Sequence, residues 1–91
     1  MAIEMRVEIP GMTAEQYEGM IGHVGEALRA APGFLSHAAG PVEGGWRVAE
    51  LWESQDSWEV FVRQVIQPAA EAAGMPPLHP QVVPVSNILT R

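Results

Sequence analysis

The chain opens with a stretch in which apolar and polar side chains alternate. Its apolar positions are Ile3, Met5, Val7 and Ile9. A period of two indicates a strand with one buried face. Pro10-Gly11 ends this strand. A helix is predicted to begin after Thr13, an N-cap residue whose capping-box partner would be Gln16, three residues later.

Helical spacing continues through the apolar positions Tyr17, Ile21, Val24 and Leu28 and stops before Pro32-Gly33. The segments FLSHAAGP and WRVAELWE follow, separated by a glycine-rich turn, and predict a β-hairpin. Ser54 is the expected cap of a second helix, with an apolar stripe formed by Trp58, Phe61, Val62, Val65 and Ala69.

Two prolines mark irregular positions in the second half of the chain. Pro68 falls inside the second helix, where its ring would clash with the carbonyl of Gln64, so a kink or a new helical turn is expected there. The segment QVVPVSNIL predicts a last strand. Because Pro84 cannot donate a ladder hydrogen bond, this strand should lie at a sheet edge.

The order strand, helix, strand, strand, helix, strand predicts an α+β, ferredoxin-like βαββαβ fold. It would have a four-stranded antiparallel sheet and both helices on one face. The 91 residues suffice for a single domain, residues 1–91. The other face of the sheet would be left bare, and in so small a chain we expect a second copy to cover it as a homodimer.

Composition excludes several classes of function. The formal charge is −6 and the five basic residues are scattered arginines, so no nucleic-acid partner is expected. The absence of cysteine removes disulfides, thiolate catalysis and cysteine-bound zinc. The acidic N-terminal stretch does not resemble a signal peptide, and no segment reaches the ~18 apolar residues of a membrane span. A cytoplasmic protein without a membrane partner is therefore expected.

Two segments resemble a known family. LWESQDSWEVF and APGFLSH, with the order of elements, resemble the antibiotic biosynthesis monooxygenase-like members of the dimeric α/β-barrel superfamily. The resemblance implies that two sheets pair face to face into a dimeric α/β barrel. It also implies a pocket between sheet and helices for an aromatic or polyketide-like ligand. Family activities include cofactor-free oxygenation of phenols, cyclisation, isomerisation and haem degradation, and fold does not choose among them.

The haem-degrading branch can be compared residue by residue. Its members resemble this chain around Trp58, but they also use an asparagine in the first strand and a histidine late in the second helix. The first strand here offers Met5, Arg6 and Val7, and the helix reads QPAAEAAG. Haem degradation is therefore disfavoured, and no cofactor is expected.

All three tryptophans lie within residues 46–58. On the third strand the alternation predicts one face with Trp46, Val48, Glu50 and Trp52, while Trp58 faces inward from the second helix. The simpler interpretation is that these tryptophans belong to the core, because large aromatic side chains supply the buried area that a small domain needs. The functional interpretation is that Trp46, Trp52, Trp58 and Tyr17 enclose a flat ligand. The two interpretations are compatible.

Glu50 is the one charged residue on that face. If the face is covered, its carboxylate must be paired or shift its pKa, and a buried carboxylate suits a general base. If the face is open, Glu50 could instead pair with an arginine such as Arg6. A two-residue Glu43-Gly44 turn would place His37 opposite Glu50, whereas a three-residue bulged turn would place His37 on the other side of the sheet.

The remaining histidines and glycines are less specific. His23 is expected at the surface, and His79 could reach a pocket mouth or be an ordinary loop residue. Three dispersed histidines give no metal-ligand spacing, so no metal is expected. Gly19, Gly22 and Gly25 weaken the first helix by about 1 kcal/mol each relative to alanine. They would allow close packing, leave room for a ligand, or let the helix move.

The leading hypothesis is thus a cofactor-independent monooxygenase, cyclase or isomerase that acts on an aromatic or polyketide-like substrate. Glu50 and His37 are its candidate catalytic residues. The candidate substrate-binding residues are Trp46, Trp52, Trp58, Tyr17 and His79. The alternative is a non-catalytic dimer that binds a hydrophobic small molecule or has a structural role.

Overall fold

The computed structural model describes all 91 residues. Its strands are β1 (Ala2–Pro10), β2 (Phe34–Val42), β3 (Gly45–Trp52) and β4 (Gln81–Val85). Helix α1 (Ala14–Ala30) connects β1 and β2. The second helical segment consists of α2 (Gln55–Phe61), a π-helical turn (Val62–Ile66) and α3 (Gln67–Ala72).

The four strands form one antiparallel sheet in the order β2-β3-β1-β4. This is the predicted ferredoxin-like α+β arrangement. Strand β3 lies inside the sheet, and β4 lies at an edge, as Pro84 predicted. The last strand is shorter than predicted because Val85 pairs with Ala2, where β1 begins, so residues beyond it have no strand to pair with.

The helix starts follow the predicted capping. The Thr13 hydroxyl accepts from the Gln16 backbone N–H at 3.1 Å, and the Gln16 side chain accepts from the Thr13 N–H at 3.0 Å. The Ser54 hydroxyl accepts from the Ser57 N–H at 3.1 Å at the start of α2. Each bond satisfies an N–H that the first helical turn leaves free.

Pro68 is accommodated by the π-helical turn before it. The Gln67 N–H donates to the carbonyl of Val62, five residues back. This wider turn carries the chain past the proline, which lacks an N–H and crowds the carbonyl four residues back. The helix continues into α3, with Pro68 in its first turn.

The core lies between the sheet and the helical layer. Its fully or nearly buried members are Ile3, Met5, Ile9, Leu28, Val48, Trp52 and Phe61. The sheet residues of this set come from the odd positions of β1 and the even positions of β3, which share the helix-covered face. None of the helices is long and apolar enough to cross a membrane.

Candidate active site

The hairpin between β2 and β3 determines where His37 lies. Val42 pairs with Gly45, so the connection is the two-residue Glu43-Gly44 turn, and Gly44 adopts a positive φ of 78°. His37 is therefore the direct cross-strand partner of Glu50. A bulge between Phe34 and Ser36 comes before this pair and does not disturb it.

The Glu50 carboxylate is buried and fully partnered. Glu50 as a whole is 8% exposed to solvent. Oε2 lies 2.7 Å from His37 Nδ1, and Oε1 accepts a 3.0 Å hydrogen bond from Trp52 Nε1. Arg6 is not a partner, because it lies on the opposite face of the sheet beside Ala49 and pairs with Glu4. Two N–H donors thus hold both carboxylate oxygens.

His37 is engaged at both ring nitrogens. Besides Nδ1, its Nε2 lies 2.6 Å from the Tyr17 hydroxyl oxygen. An ionised Glu50 can only accept, so His37 Nδ1 carries the proton that it donates to Oε2. In the neutral ring Nε2 is then an acceptor, and the Tyr17 hydroxyl donates to it. The result is a continuous chain from Tyr17 through His37 to Glu50 and Trp52.

Tyr17 stays protonated in this arrangement. Burial raises the pKa of its phenol above the ordinary value of 10.0, and the negative charge of Glu50 raises it further. A neutral phenol at neutral pH is what the hydrogen bond to Nε2 requires.

The Tyr17 ring also joins an aromatic stack. It is stacked on Trp46, with centroids 5.5 Å apart and planes 25° apart, and on His37, with centroids 6.0 Å apart and planes 17° apart. The indole N–H of Trp46 is buried and has no hydrogen-bond partner. Tyr17 therefore contacts His37 from the side of α1, and Trp46 on β3 packs against the Tyr17 ring.

An apolar cavity of about 590 Å³ lies between the sheet and the helices. Its walls come from β1, β3, α1, the second helical segment and the loop over residues 75–80, and 15 of its 22 lining residues are hydrophobic. His37, Glu50 and Trp58 line it. The volume falls within the ~300–1,000 Å³ typical of small-molecule pockets. The paired His37 and Glu50 thus border a space large enough for a polycyclic ligand.

The other predicted site residues lie elsewhere. Trp52 is fully buried, packs between Phe34 and Phe61, and contacts the site only through its bond to Glu50. Tyr17 and Trp46 lie behind His37 and are not among the lining residues. His79 is exposed and does not line the cavity, although Leu78 and Pro80 on either side do. His23 is exposed, as predicted.

Gln67 and Glu71 line the cavity and were not identified from the sequence. The predicted apolar stripe of the second helix assumed a regular helical repeat through Val65 and Ala69. The π-helical turn adds one residue to the repeat, so Ile66 and Gln67, and one turn later Ala70 and Glu71, face the cavity. Pro68 was the signal that the repeat would shift.

Gly19 and Gly22 face open space. A methyl group added at either position would meet no atom within 4 Å, and neither residue lines the cavity. Close packing therefore does not explain them. No group of three His, Asp or Glu side chains is placed to hold a metal ion.

No protein-family model and no curated protein matches the chain. Solved structures do. The cofactor-independent oxygenase SnoaB from Streptomyces nogalater is 17% identical, with 99% of this chain and 96% of that one covered, at a TM-score of 0.67. The haem-degrader MhuD from Mycobacterium tuberculosis, with two haems bound in its active site, is 20% identical to this chain. The comparison covers 99% of this chain and 100% of that one, at a TM-score of 0.64.

A Deinococcus radiodurans protein named for the antibiotic biosynthesis monooxygenases is 16% identical over 100% of this chain and 98% of that one, at a TM-score of 0.68. At these identities the likeness shows the fold. The chain has the ferredoxin-like fold of the antibiotic biosynthesis monooxygenase-like proteins, as its sequence resemblance predicted.

Proposed function

We propose that this protein is a cofactor-independent oxygenase that acts on an aromatic or polyketide-like phenol held between its sheet and helices. One observation carries the proposal: the buried Glu50 and the half-buried His37, with Oε2 and Nδ1 2.7 Å apart, border an apolar cavity of about 590 Å³. A non-catalytic binding protein would need the cavity but not a hydrogen-bonded carboxylate–imidazole couple in its wall. A strongly polar pair in an apolar pocket is the usual mark of proton transfer.

His37 Nε2 is the proposed acceptor of the substrate's phenolic proton. Glu50 accepts from Nδ1, so it fixes the tautomer and stabilises the imidazolium that forms, as a carboxylate does in a carboxylate–histidine–hydroxyl triad. Tyr17 supports this role, because its phenol already donates to Nε2 at 2.6 Å. A phenolic substrate would take the place of the Tyr17 hydroxyl.

The resulting phenolate supplies the electrons for the reaction with O₂. One oxygen atom bonds to a ring carbon and becomes a quinone carbonyl, and the other leaves as water with the phenolic hydrogen and the displaced ring hydrogen. The proton held by His37 serves the departing hydroxide. Substrate is the reductant and O₂ the oxidant, so no bound cofactor is required. The similarity to a cofactor-independent oxygenase of the same fold supports this assignment.

Haem, which the fold neighbour MhuD binds, fits these residues poorly. An axial ligand would have to be a histidine with a free nitrogen facing the cavity. His37 is the only histidine that lines the cavity, and Tyr17 would have to release its Nε2 before it could serve as such a ligand. None of the lining residues is an arginine or lysine that could bind a propionate, so the two haem carboxylates would find no cationic partner there.

The protein is also proposed to act as a homodimer. Nine of its 91 residues are buried, which is a small core even for this size. The face of the sheet away from the helices has no cover, and Leu51 and Val83 on that face are partly exposed. Pairing of two sheets through this face would bury them.

The first test measures binding and oxygen consumption together. A panel of polycyclic phenols is titrated against tryptophan fluorescence, since Trp58 lines the cavity, and oxygen uptake is recorded with each compound that binds. For a substrate found in this way, His37→Ala and Glu50→Gln should lower kcat by about 10²- to 10⁴-fold, the usual contribution of a general base.

His23→Ala is the matched control, because His23 is exposed on α1 and does not line the cavity. Its oxygen uptake should equal that of the wild type. Circular dichroism of each variant establishes that the fold is retained. Binding without oxygen uptake, but with conversion that depends on His37, would indicate a cyclase or isomerase instead. Binding without any conversion would contradict the enzyme proposal.

A further inference from the structure

The polar side chains of the cavity fall into two pairs. Apart from the indole N–H of Trp58, the polar groups among its 22 lining residues belong to His37, Glu50, Gln67 and Glu71. His37 and Glu50 lie on the sheet, at the inner wall. Gln67 and Glu71 lie one turn apart on α3, where both are exposed, and so mark the solvent side of the cavity. A ligand that fills the space meets the first pair with one end and the second with the other.

No positive side chain balances the two carboxylates. The five arginines are the chain's only arginine or lysine residues, and none lines the cavity. Arg6 pairs with Glu4, and His37 as a neutral imidazole donates a hydrogen bond to Glu50, so neither Glu50 nor Glu71 has a cationic partner. The Gln67 and Glu71 side chains make no hydrogen bond that would compete with a ligand.

These charges oppose an anionic ligand. A carboxylate or phosphate placed in the cavity would leave water for apolar walls, face Glu50 or Glu71, and find no counter-ion. A neutral hydroxyl or an ammonium group avoids this penalty and can donate to the Glu71 carboxylate, a charge-assisted bond stronger than one between neutral groups.

We propose that the substrate is a polycyclic phenol that carries no carboxylate or phosphate and presents a hydroxyl or amine to Gln67 and Glu71. This inference rests on the proposed function, because it assumes that the phenolic end is the one at His37. It assigns to Glu71 the role of a specificity-determining residue that rejects anionic relatives of the substrate.

The test uses two ligands that share one scaffold. Aloe-emodin is a dihydroxyanthraquinone with a hydroxymethyl group, and rhein carries a carboxylate at the same position. Their phenols are the same, so a difference in Kd at neutral pH reports the carboxylate. By fluorescence titration the wild type should bind aloe-emodin at least about tenfold more tightly than rhein, a difference of about 1.4 kcal/mol.

Glu71→Arg should remove or reverse that preference, because it replaces the rim carboxylate with a cation. Glu26→Arg makes the same change of charge on an exposed residue of α1 that does not line the cavity, and it should leave the preference as in the wild type. Equal binding of both ligands by the wild type would overturn the inference. So would a preference that Glu71→Arg leaves unchanged, or one that both variants change alike.

Oxygen uptake with the corresponding anthrones and the His37→Ala variant separates the two proposals. Aloe-emodin and rhein are themselves quinones, whereas the enol tautomer of each anthrone is a phenol that O₂ can convert to the quinone and water. Selective binding that depends on Glu71, without oxidation of either anthrone, would leave the specificity intact and contradict the oxygenase. Oxidation that depends on His37 and proceeds equally with the anthrone of rhein would support the oxygenase and overturn the specificity. If neither compound binds, the cavity is not a polycyclic-phenol site and both proposals fail.

Discussion

Tyr17 occupies the one ring nitrogen of His37 through which a substrate proton could be accepted. Its hydroxyl lies 2.6 Å from Nε2, and its raised pKa keeps the proton on the phenol at neutral pH. Without substrate, the Tyr17 hydroxyl therefore occupies the Nε2 atom of His37. A substrate has to displace this hydrogen bond before it can bind in the productive way.

Tyr17→Phe tests this competition. The phenyl ring can still stack on Trp46, but Nε2 is left free. Because a hydrogen bond is worth about 0.5–1.5 kcal/mol net, KM for a phenolic substrate should fall about two- to tenfold while kcat is retained. Steady-state oxygen uptake measures both constants.

The control for this variant is a ligand without a hydroxyl. Unsubstituted anthraquinone cannot bond to Nε2, so its Kd should be the same for the wild type and Tyr17→Phe. A large fall in kcat with KM unchanged would instead mean that the Tyr17 hydroxyl itself carries the proton.

The partners of Glu50 show what single residues reveal before the fold is known. Alternation along β3 predicted that Glu50 shares a face with Trp52. The rules of strand pairing left two registers open for His37, and the two-residue turn seen in the structure places it opposite Glu50. The contact of Tyr17 with His37 does not follow from such rules, because the rotation and position of α1 above the sheet depend on packing along its whole length.

Among the elements, the second helical segment departs most from its predicted form. Periodicity predicted an apolar stripe that continues through Val65 and Ala69, but its members line the cavity only as far as Val62. Pro68 predicted an irregularity. Neither could show that the chain would form a π-helical turn rather than kink, since both avoid the clash at the proline. Only the π-helical turn brings Gln67 and Glu71 to the cavity.

Helix α1 contains glycines that the fold does not require. Gly19 and Gly22 are exposed, and an added methyl group at either would meet no atom within 4 Å. Gly19→Ala and Gly22→Ala should each stabilise the protein by about 1 kcal/mol, because alanine loses less backbone entropy in a helix. In a domain of this size each should raise Tm by about 4–8 °C in thermal unfolding followed by circular dichroism.

Gly33→Ala is the contrasting variant. Gly33 has a φ of 85°, and a methyl group there would collide with the Ser57 side chain at the start of α2. This variant should lower Tm. If the α1 variants lowered it as well, those glycines would serve a contact that the isolated chain does not contain.

At the scale of the whole molecule, the two faces of the sheet differ in what covers them. The helical layer covers the face with the core and the cavity, and the other face is open. That face carries the Glu4–Arg6 pair beside apolar residues such as Ala49, Leu51 and Val83. A mixed face of this kind can pair with its own copy through apolar contacts while the Glu4 carboxylate and the Arg6 guanidinium stay paired with each other.

Leu51→Arg tests the proposed dimer. Leu51 lies on central strand β3 directly opposite Glu4, so in a single protomer the new arginine has a carboxylate beside it and the fold should tolerate it. In a face-to-face dimer the substitution would put a desolvated cation into each half of the interface. Light scattering coupled to size-exclusion chromatography should give twice 9.9 kDa for the wild type and 9.9 kDa for the variant.

Val60→Arg provides the matched control, because Val60 is an exposed apolar residue on α2, in the helical layer. It introduces the same charge and should leave the mass at twice that of the chain. A wild-type mass of 9.9 kDa would contradict the dimer outright. A dimer lost in Val60→Arg but kept in Leu51→Arg would place the interface on the helical layer instead of the open face of the sheet.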